Sequence, residues 1–417
     1  AFYDWQTDDK GSRLTVQADV LKFNMNNNLY MKTLYTGDDV EENNFQRNHN
    51  NTYMASLQAN YVGALKGGSY WVGGIDYSYT GYRQNFINGI NQPVVEAKVN
   101  NYAPAVYASY NCSLGEKWMW FVKLRSQYNK MNIDQGNVKN TIDYWGIEPS
   151  TRFTYLWNKK KGHSIAFSYS HTVSNVPYSY VSDFRMYDGD THYTVGNPNL
   201  KKAYNESVSL HLKLFNALSV GYSFQYDRNT IYLNTETDPD NANVYCSVAR
   251  NSKFGILHLI YAEWFKDVAK WWSLKLYAQS RISNDHLFDV KQKQFYWTTN
   301  INNTFRFTDT FGGGLSMSID PKQKVADMEF NTVYNVDAYL YKTFFKDNLL
   351  LRLSGGYGNG RKITIDKKGI YSCRRHNDGG LIELAIQYTF RGGKSVKQRQ
   401  TATQLQQKQT LQNGYYE

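Results

Sequence analysis

Eight histidines and three cysteines are the first places to look for chemistry in these 417 residues. No HExxH pair, GxSxG elbow or P-loop occurs, and the GGYGNGRK run from Gly355 spaces its glycines wrongly for a phosphate cradle. A glycine run inside a strand marks a bend or close packing instead. Asp190 and His192 come nearest to a catalytic pair, able to project together from a loop, but they define no nucleophile. His171, at a strand end, and His211, on an inward strand face, read as polar residues of a wet interior before they read as metal ligands. Glu236, Asp238 and Asp240 could touch a calcium ion, yet the glycine and terminal glutamate of an EF-hand loop are absent, and a solvated loop is the plainer interpretation. Cys112, Cys246 and Cys373 are widely spaced and odd in number, so at most one intramolecular pair can form and no zinc spacing exists. Neither an enzyme activity nor a metal or other cofactor is expected.

Binding has better material. Between Asn175 and Leu200 the chain gathers Tyr178, Tyr180, Phe184, Arg185, Tyr187 and Tyr193. Such a set stacks on a sugar, a peptide or a planar ligand with little side-chain entropy lost, or else folds the loop onto itself. A second set, Lys123, Arg125, Arg152, Lys275, Arg306 and Arg352, falls on inward strand positions by parity. It would favour anionic solutes or carboxylates inside a lumen, or pair with Asp19, Asp76, Glu329, Asp337 and Glu383.

The elements that position these residues show in a period of two. From Leu218, LSVGYSFQY puts Leu218, Val220, Tyr222, Phe224 and Tyr226 on one side and Ser219, Gly221, Ser223 and Gln225 on the other, which is a strand. Val208, Leu210, Leu212 and Leu214 alternate likewise, and Phe215 to Ala217 form a tight corner, so the two runs make a hairpin. Met328, Phe330, Tyr334, Val336, Ala338 and Leu340 are assigned to one later strand. Aromatic residues make up 16% of the chain against only 7 prolines, a balance that suits strands and argues against disorder. The net charge of +11 comes from 47 basic residues spread among 36 acidic ones, so no clustered nucleic-acid surface is expected.

Counting alternating runs from Leu14 to Phe390 gives about 17 or 18 strands of roughly 9 to 15 residues. Short corners are expected near Met25 to Asn28, Gly63 to Gly68, Ser113 to Glu116, Asn158 to Gly162, Phe215 to Ala217, Lys266 to Lys270, Thr308 to Gly312 and Lys346 to Asn348. Longer polar loops fall between them: Gly37 to Asn50, Gln84 to Lys98, Asn132 to Asn140, Asn175 to Leu200, Asn229 to Asn243, Ser283 to Lys293 and Lys362 to Asp378. Short and long connections in alternation describe an all-β, up-and-down antiparallel transmembrane β-barrel, its short rim toward the periplasm. A bilayer explains the faces as well. A lipid-facing Lys or Arg at the midplane costs roughly 2 to 4 kcal/mol, so charges point inward, while Trp71, Trp118, Trp157, Trp264, Trp271 and Trp297 suit the headgroup girdles.

Two segments resemble a known group. GNPNLKKAYNES, Gly196 to Ser207, is similar to the GNPNL-K/R-P-E element of TonB-dependent outer-membrane receptors, with Ala203 and Tyr204 where Pro and Glu are usual. The last strand, GLIELAIQYTF from Gly380, resembles the C-terminal signal read by the barrel-assembly machinery, with Ala385 in place of the customary Gly. With DDKGSRLTVQADVLKFNMNNN near the start, most of the chain resembles the barrel region of the family related to these receptors. The resemblance implies a 22-stranded barrel closed around an N-terminal plug, and nutrient uptake powered by TonB. No plug-like or TonB-box-like segment is found here, and the strands are too few. The chain is therefore expected to be the C-terminal portion of a longer receptor, with a self-contained, passive porin-like channel of about eighteen strands as the alternative. Residues 1–391 are assigned to the barrel and 392–417 to a polar, basic, mobile tail emerging into the periplasm. The expected partners are the lipid bilayer, the assembly machinery, TonB through a plug outside this chain, and an unknown nutrient ligand, with no nucleic acid.

Overall fold

The computed structural model describes residues 1–34, 41–88, 95–135, 138–181, 185–189, 192–241, 244–287, 290–325, 328–360, 362–367, 371–375 and 379–390. Eight strands follow one another at the start: β1 (Phe2–Gln6), β2 (Arg13–Leu34), β3 (Glu41–Ala64), β4 (Tyr70–Asn88), β5 (Val95–Leu114), β6 (Trp118–Gln135), β7 (Val138–Asn158) and β8 (His163–Ser174). A single helical turn, α1 (Tyr178–Val181), and two short strands, β9 (Met186–Gly189) and β10 (His192–Val195), come next. The chain then makes β11 (Ala203–Leu214) and β12 (Leu218–Arg228), the short pair β13 (Ile231–Thr237) and β14 (Tyr245–Asn251), and β15 (Phe254–Ala269) through β16 (Trp272–Leu287), β17 (Val290–Thr308) and β18 (Phe311–Asp320). It ends with β19 (Gln323–Val325), β20 (Met328–Phe330), β21 (Val333–Phe344), β22 (Leu349–Gly358), β23 (Ile363–Lys367), β24 (Tyr371–Arg375) and β25 (Gly379–Tyr388).

Seventeen of these strands form one antiparallel wall, each paired with its neighbours along the chain, while the short strands make two four-stranded sheets of their own, β13-β14-β10-β9 and β19-β20-β23-β24. The period of two becomes two faces across the ladders. Phe167, Leu210, Tyr222 and Ile260 stand in one cross-strand row of the wall and are all exposed. One residue along, Ala166, His211, Gly221 and Tyr261 form the next row, on the opposite face. The His211 and Tyr261 rings stack at 6.1 Å, and a Cβ on Gly221 would run into the Tyr261 ring, so the glycine makes room for that stack.

The hairpin between β11 and β12 forms as its alternation predicts: Leu214 pairs with Leu218, and Phe215 and Asn216 take positive φ in the corner. Aromatics line the short-turn rim, where Trp118 stacks on Tyr155 at 3.9 Å and Trp271 packs on Phe305 and Phe307.

Three expectations are corrected. Met25 to Asn28 is no corner, because β2 runs straight through it with Met25 opposite Asn50 and Asn28 opposite Arg47. Asparagine clusters favour turns through local side-chain bonds, but a continuous ladder on both partners outweighs that preference. The first short turn lies at 7–12 instead, where the Asp8 carboxylate accepts from the backbone N–H of Lys10 (2.9 Å) and Ser12 (2.8 Å). Met328 to Leu340 is two elements, parted at Asn331 and Thr332, whose side chains bond across to Gly360 and Lys322. Glu329 thus leaves the wall for β20 of the sheet β19-β20-β23-β24 and pairs with Lys322, just before β19. Third, the strands reach 24 residues, longer than the loops assumed in the sequence allow. At ~3.3 Å per residue and a tilt of ~40°, β3 rises about 60 Å, more than twice the ~25 Å apolar band, so the wall projects far beyond it. Several supposed loops are strand: β9, β10, β13, β23 and β24 all lie within them, and β14 follows directly after one.

The wall has two edges, β1 and β25. On β25 both faces are open, with Leu381 68% and Ile382 83% exposed. Among the described residues no ladder joins it to β1.

Candidate ligand-binding mouth

The sheet β13-β14-β10-β9 and α1 sit at the long-loop end over residues of the polar wall face. Their core is Val176, Val181, Leu200 and Ala249 packed against Val99, Met131 and Ile133 of β5 and β6, with Tyr180 and Ile231 at its border. β10 lies parallel to β14 in register, His192 opposite Tyr245 and Val195 opposite Val248, and antiparallel to β9. Burying this apolar set at ~25 cal/mol per Å2 is what holds the cap on the wall.

Asparagines fix the connection between cap and wall. Asn197 donates to the Ala249 carbonyl (3.0 Å), and its own carbonyl oxygen accepts from the N–H of Asn199 (2.9 Å). Asn251 accepts from the N–H of Lys201 (2.8 Å) and donates to the carbonyls of Lys201 (2.8 Å) and Asn229 (2.6 Å). The GNPNLKK segment is thus a clasp whose amides satisfy backbone groups that no ladder serves.

The six loop residues singled out by sequence separate here. Tyr193 is 2% exposed, and its hydroxyl donates to Asp238 at 2.7 Å. Tyr180 packs on the cap core. Arg185 is exposed, lies over the Tyr193 ring at 4.9 Å and reaches Asp238 (3.6 Å) and Asp240 (3.4 Å). Phe184 lies outside the described residues, as do the side chains of Tyr178 in α1 and Tyr187 in β9. Asp190 lies outside them as well, while His192 bonds Ser247 Oγ at 2.8 Å.

The acidic trio of this region is engaged by protein. Glu236 takes a two-point contact from Arg250 (2.5 and 2.8 Å), Asp238 holds Tyr193, and Asp240 meets Arg185. Among the described residues no cluster of His, Cys, Asp and Glu could hold a metal ion. The Tyr193 hydroxyl and the Asp240 N–H hold the Asp238 carboxyl below the ordinary aspartate range, with Arg185 assisting. Burial in the cap pushes the Tyr232 hydroxyl up to about 12. Asp238 and the asparagine clasp were not singled out for this role; only the short spacing of Glu236, Asp238 and Asp240 hinted at the first.

The six basic wall residues all lie on the face opposite the exposed apolar one. Arg125 bonds Asp76 at 3.0 Å and Gln127 at 2.9 Å, and approaches Glu148 at 3.9 Å. Lys123 lies over the Tyr107 ring at 5.4 Å, Arg352 over Tyr339 at 4.5 Å, and Lys275 pairs with Glu263 at 2.8 Å. Arg152 stands within electrostatic reach of His211, and Arg306 follows near the short-turn end of β17. This face is polar, with Arg125 and Lys275 paired to carboxylates and Lys123 and Arg352 set over tyrosine rings.

A wide antiparallel wall with an apolar outer face, an aromatic short-turn rim and a capped far end defines a class, the large outer-membrane β-barrels. The chain belongs to the outer membrane protein beta-barrel family, whose model matches residues 5–356. Membership places it in the outer membrane and among barrels rather than enzymes. No curated protein sequence matches it. Among solved structures it is similar to the ferripyoverdine receptor of the outer membrane of Pseudomonas aeruginosa bound to ferripyoverdine (14% identity, TM-score 0.63, 91% of this chain and 54% of that one). It is also similar to the ferric citrate transporter FecA in its unliganded form (11%, 0.62, 93% and 60%) and to the ferric-catecholate import receptor Fiu from E. coli K12 (10%, 0.62, 93% and 63%). The chain thus spans 54 to 63% of the length of these structures, and the likeness is one of fold.

Proposed function

We propose that this chain is the greater part of a receptor barrel that imports a nutrient ligand through the outer membrane, energised by TonB through a plug carried elsewhere in a longer protein. The observation that carries this is the cap: a folded sheet shares one apolar core with Val99, Met131 and Ile133 on the wall's inner face at the long-loop mouth. An open diffusion pore has no use for such a cover, whereas a receptor needs a shaped outer surface for its ligand. Arg185 and the loop aromatics Tyr178, Phe184 and Tyr187 are the residues we assign to that surface, with Tyr180 and Tyr193 supporting it from below. Lys123, Arg125, Arg152, Lys275, Arg306 and Arg352 line the lumen.

The two open edges support the same account. A long, flat, apolar edge such as β25 invites pairing, and further strands between β25 and β1 would complete a barrel of 22. Residues 1–391 then form barrel wall and cap, residues 392–417 a periplasmic tail, and β25 the strand recognised by the assembly machinery. The relatives' ferric ligands make a chelate too large for diffusion the class to try first. Growth of a deletion strain under limitation of single nutrients tests this: one nutrient should become limiting, loss of TonB should reproduce the defect, and excess of that nutrient should relieve it. Equal growth of deletion and parent on every limiting nutrient would contradict the proposal.

A further inference from the structure

β15 carries one residue out of keeping with the apolar outer face it lies on. Phe254, Ile256, Ile260 and Ala262 share that face, and between them stands His258, half-buried. Its Nδ1 meets the Tyr222 hydroxyl at 2.9 Å, and the Phe224 ring packs on it at 5.4 Å. Nε2 has no partner among the described residues. Ser280 lies diagonally below on β16, with Ala278 and Ile282 as its neighbours on the same face. Its hydroxyl has no partner among the described residues either, whereas Thr299, on the next strand, turns its Oγ1 to the Tyr277 carbonyl at 3.0 Å.

Hydrocarbon offers neither group a hydrogen bond, so both ask for a polar partner within the bilayer. Their placement says which. Leu218, the first residue of β12, shares a row with Leu276, well above Trp272 at the start of β16, so rows climb from β12 toward β16. At ~4.8 Å between strands, ~3.3 Å per residue and a tilt of ~40°, one strand along a row rises about 3 Å and two residues down a strand fall about 5 Å. His258 and Ser280 therefore stand at nearly one height, about 8 Å apart around the wall. A two-fold axis along the membrane normal keeps height and exchanges left and right. Placed between the two residues, it sets each histidine opposite the serine of the other copy, and two reciprocal bonds satisfy all four groups. A hydroxyl donates or accepts, so either imidazole tautomer is served.

We propose that the outer face of β12, β15, β16 and β17 is a two-fold interface with a second copy of this chain within the bilayer, closed by His258 of each copy on Ser280 of the other. The area suffices. Each strand at ~4.8 Å spacing and ~40° tilt takes about 6 Å of the rim, so four strands over the ~25 Å band present about 600 Å2 per copy, and two copies bury ~1,200 Å2, the smaller end of specific interfaces. The proposal rests on the bilayer lying against this face and not on the ligand or on TonB.

The experiment is disulfide cross-linking of the full-length protein in intact outer membranes, with folding checked by heat-modifiable migration. Ile282, opposite His258 in its row, lies on the proposed axis and is 47% exposed, so Ile282→Cys should give a species of twice the protein's mass on oxidation, above the level of the unaltered protein. Val106→Cys, at a position 56% exposed on the lipid face of β5, should stay at that level. Added to Ile282→Cys, His258→Phe and Ser280→Ala should each reduce the cross-linked fraction about fivefold, and Ser280→Thr should keep it. Absence of the doubled species with Ile282→Cys would overturn the proposal. So would equal yield from Val106→Cys, or a yield that His258→Phe and Ser280→Ala leave unchanged. A cross-link to a chain of different mass would show another membrane protein on the patch and would overturn it too.

Discussion

Tyr193, on β10, reaches across the outer sheet to Asp238, 45 residues later in the chain, and donates its hydroxyl at 2.7 Å in a fully buried bond. A tyrosine chosen by composition as a ligand contact is thereby a structural bolt of the cap. Tyr193→Phe leaves the Asp238 carboxylate short of a donor at a cost of about 1 to 3 kcal/mol. Hydrogen exchange and limited proteolysis should show β10, β13 and β14 opening earlier while the wall ladders, β11 and β12 among them, keep their protection.

Acid should act on the same bond. The Asp238 carboxyl is held below the ordinary 3.8 by the Tyr193 hydroxyl, the Asp240 N–H and Arg185. A carboxyl with a depressed pKa adds stability that is complete above its unfolded value and is lost as pH falls through the folded one. Cap protection should therefore hold steady from neutral pH down to about 4 and decline below it. Asp238→Asn should flatten that profile, which proteolysis across a pH series measures.

Gly221 makes space for one ring stack. Gly221→Ala drives a Cβ into the Tyr261 ring and should cost about 1 to 3 kcal/mol, seen as slower folding into bilayers and a lower unfolding temperature. Pairing it with Tyr261→Ala should recover most of the loss, because the backbone at Gly221 is ordinary strand that alanine accepts.

Arg125 and Asp76 should couple. The pair is mostly screened from solvent, and the second Asp76 oxygen has no partner among the described residues. A double-mutant cycle with Arg125→Gln and Asp76→Asn should give about 1 to 2 kcal/mol of coupling, with Arg125→Gln alone the worse single change.

The wall was legible in the sequence because its signal is local. Leu218 to Tyr226 alternates, Phe215 to Ala217 breaks it, and Ser209, His211 and Lys213 fall opposite the lipid face, so hairpin and parity follow from period two alone. Failures occurred where long-range pairing decides. Met25 to Asn28 has turn-forming side chains but sits inside a ladder of 22 pairs. The parallel match of β10 with β14 joins His192 to Tyr245, far apart in sequence, and three- to seven-residue strands carry too few side chains to announce a period. The loop aromatics were ambiguous for a physical reason: Tyr180 and Tyr193 offer the same rings to a core as to a ligand, and only burial tells which is used.

The account's central claim is a barrel whose mouth is covered and whose traffic is gated. Planar-bilayer conductance of the full-length protein tests it without needing the ligand. A covered, plugged receptor should insert and show no steady ion current at low voltage; a stable, always-open conductance of porin size would contradict the gated receptor outright.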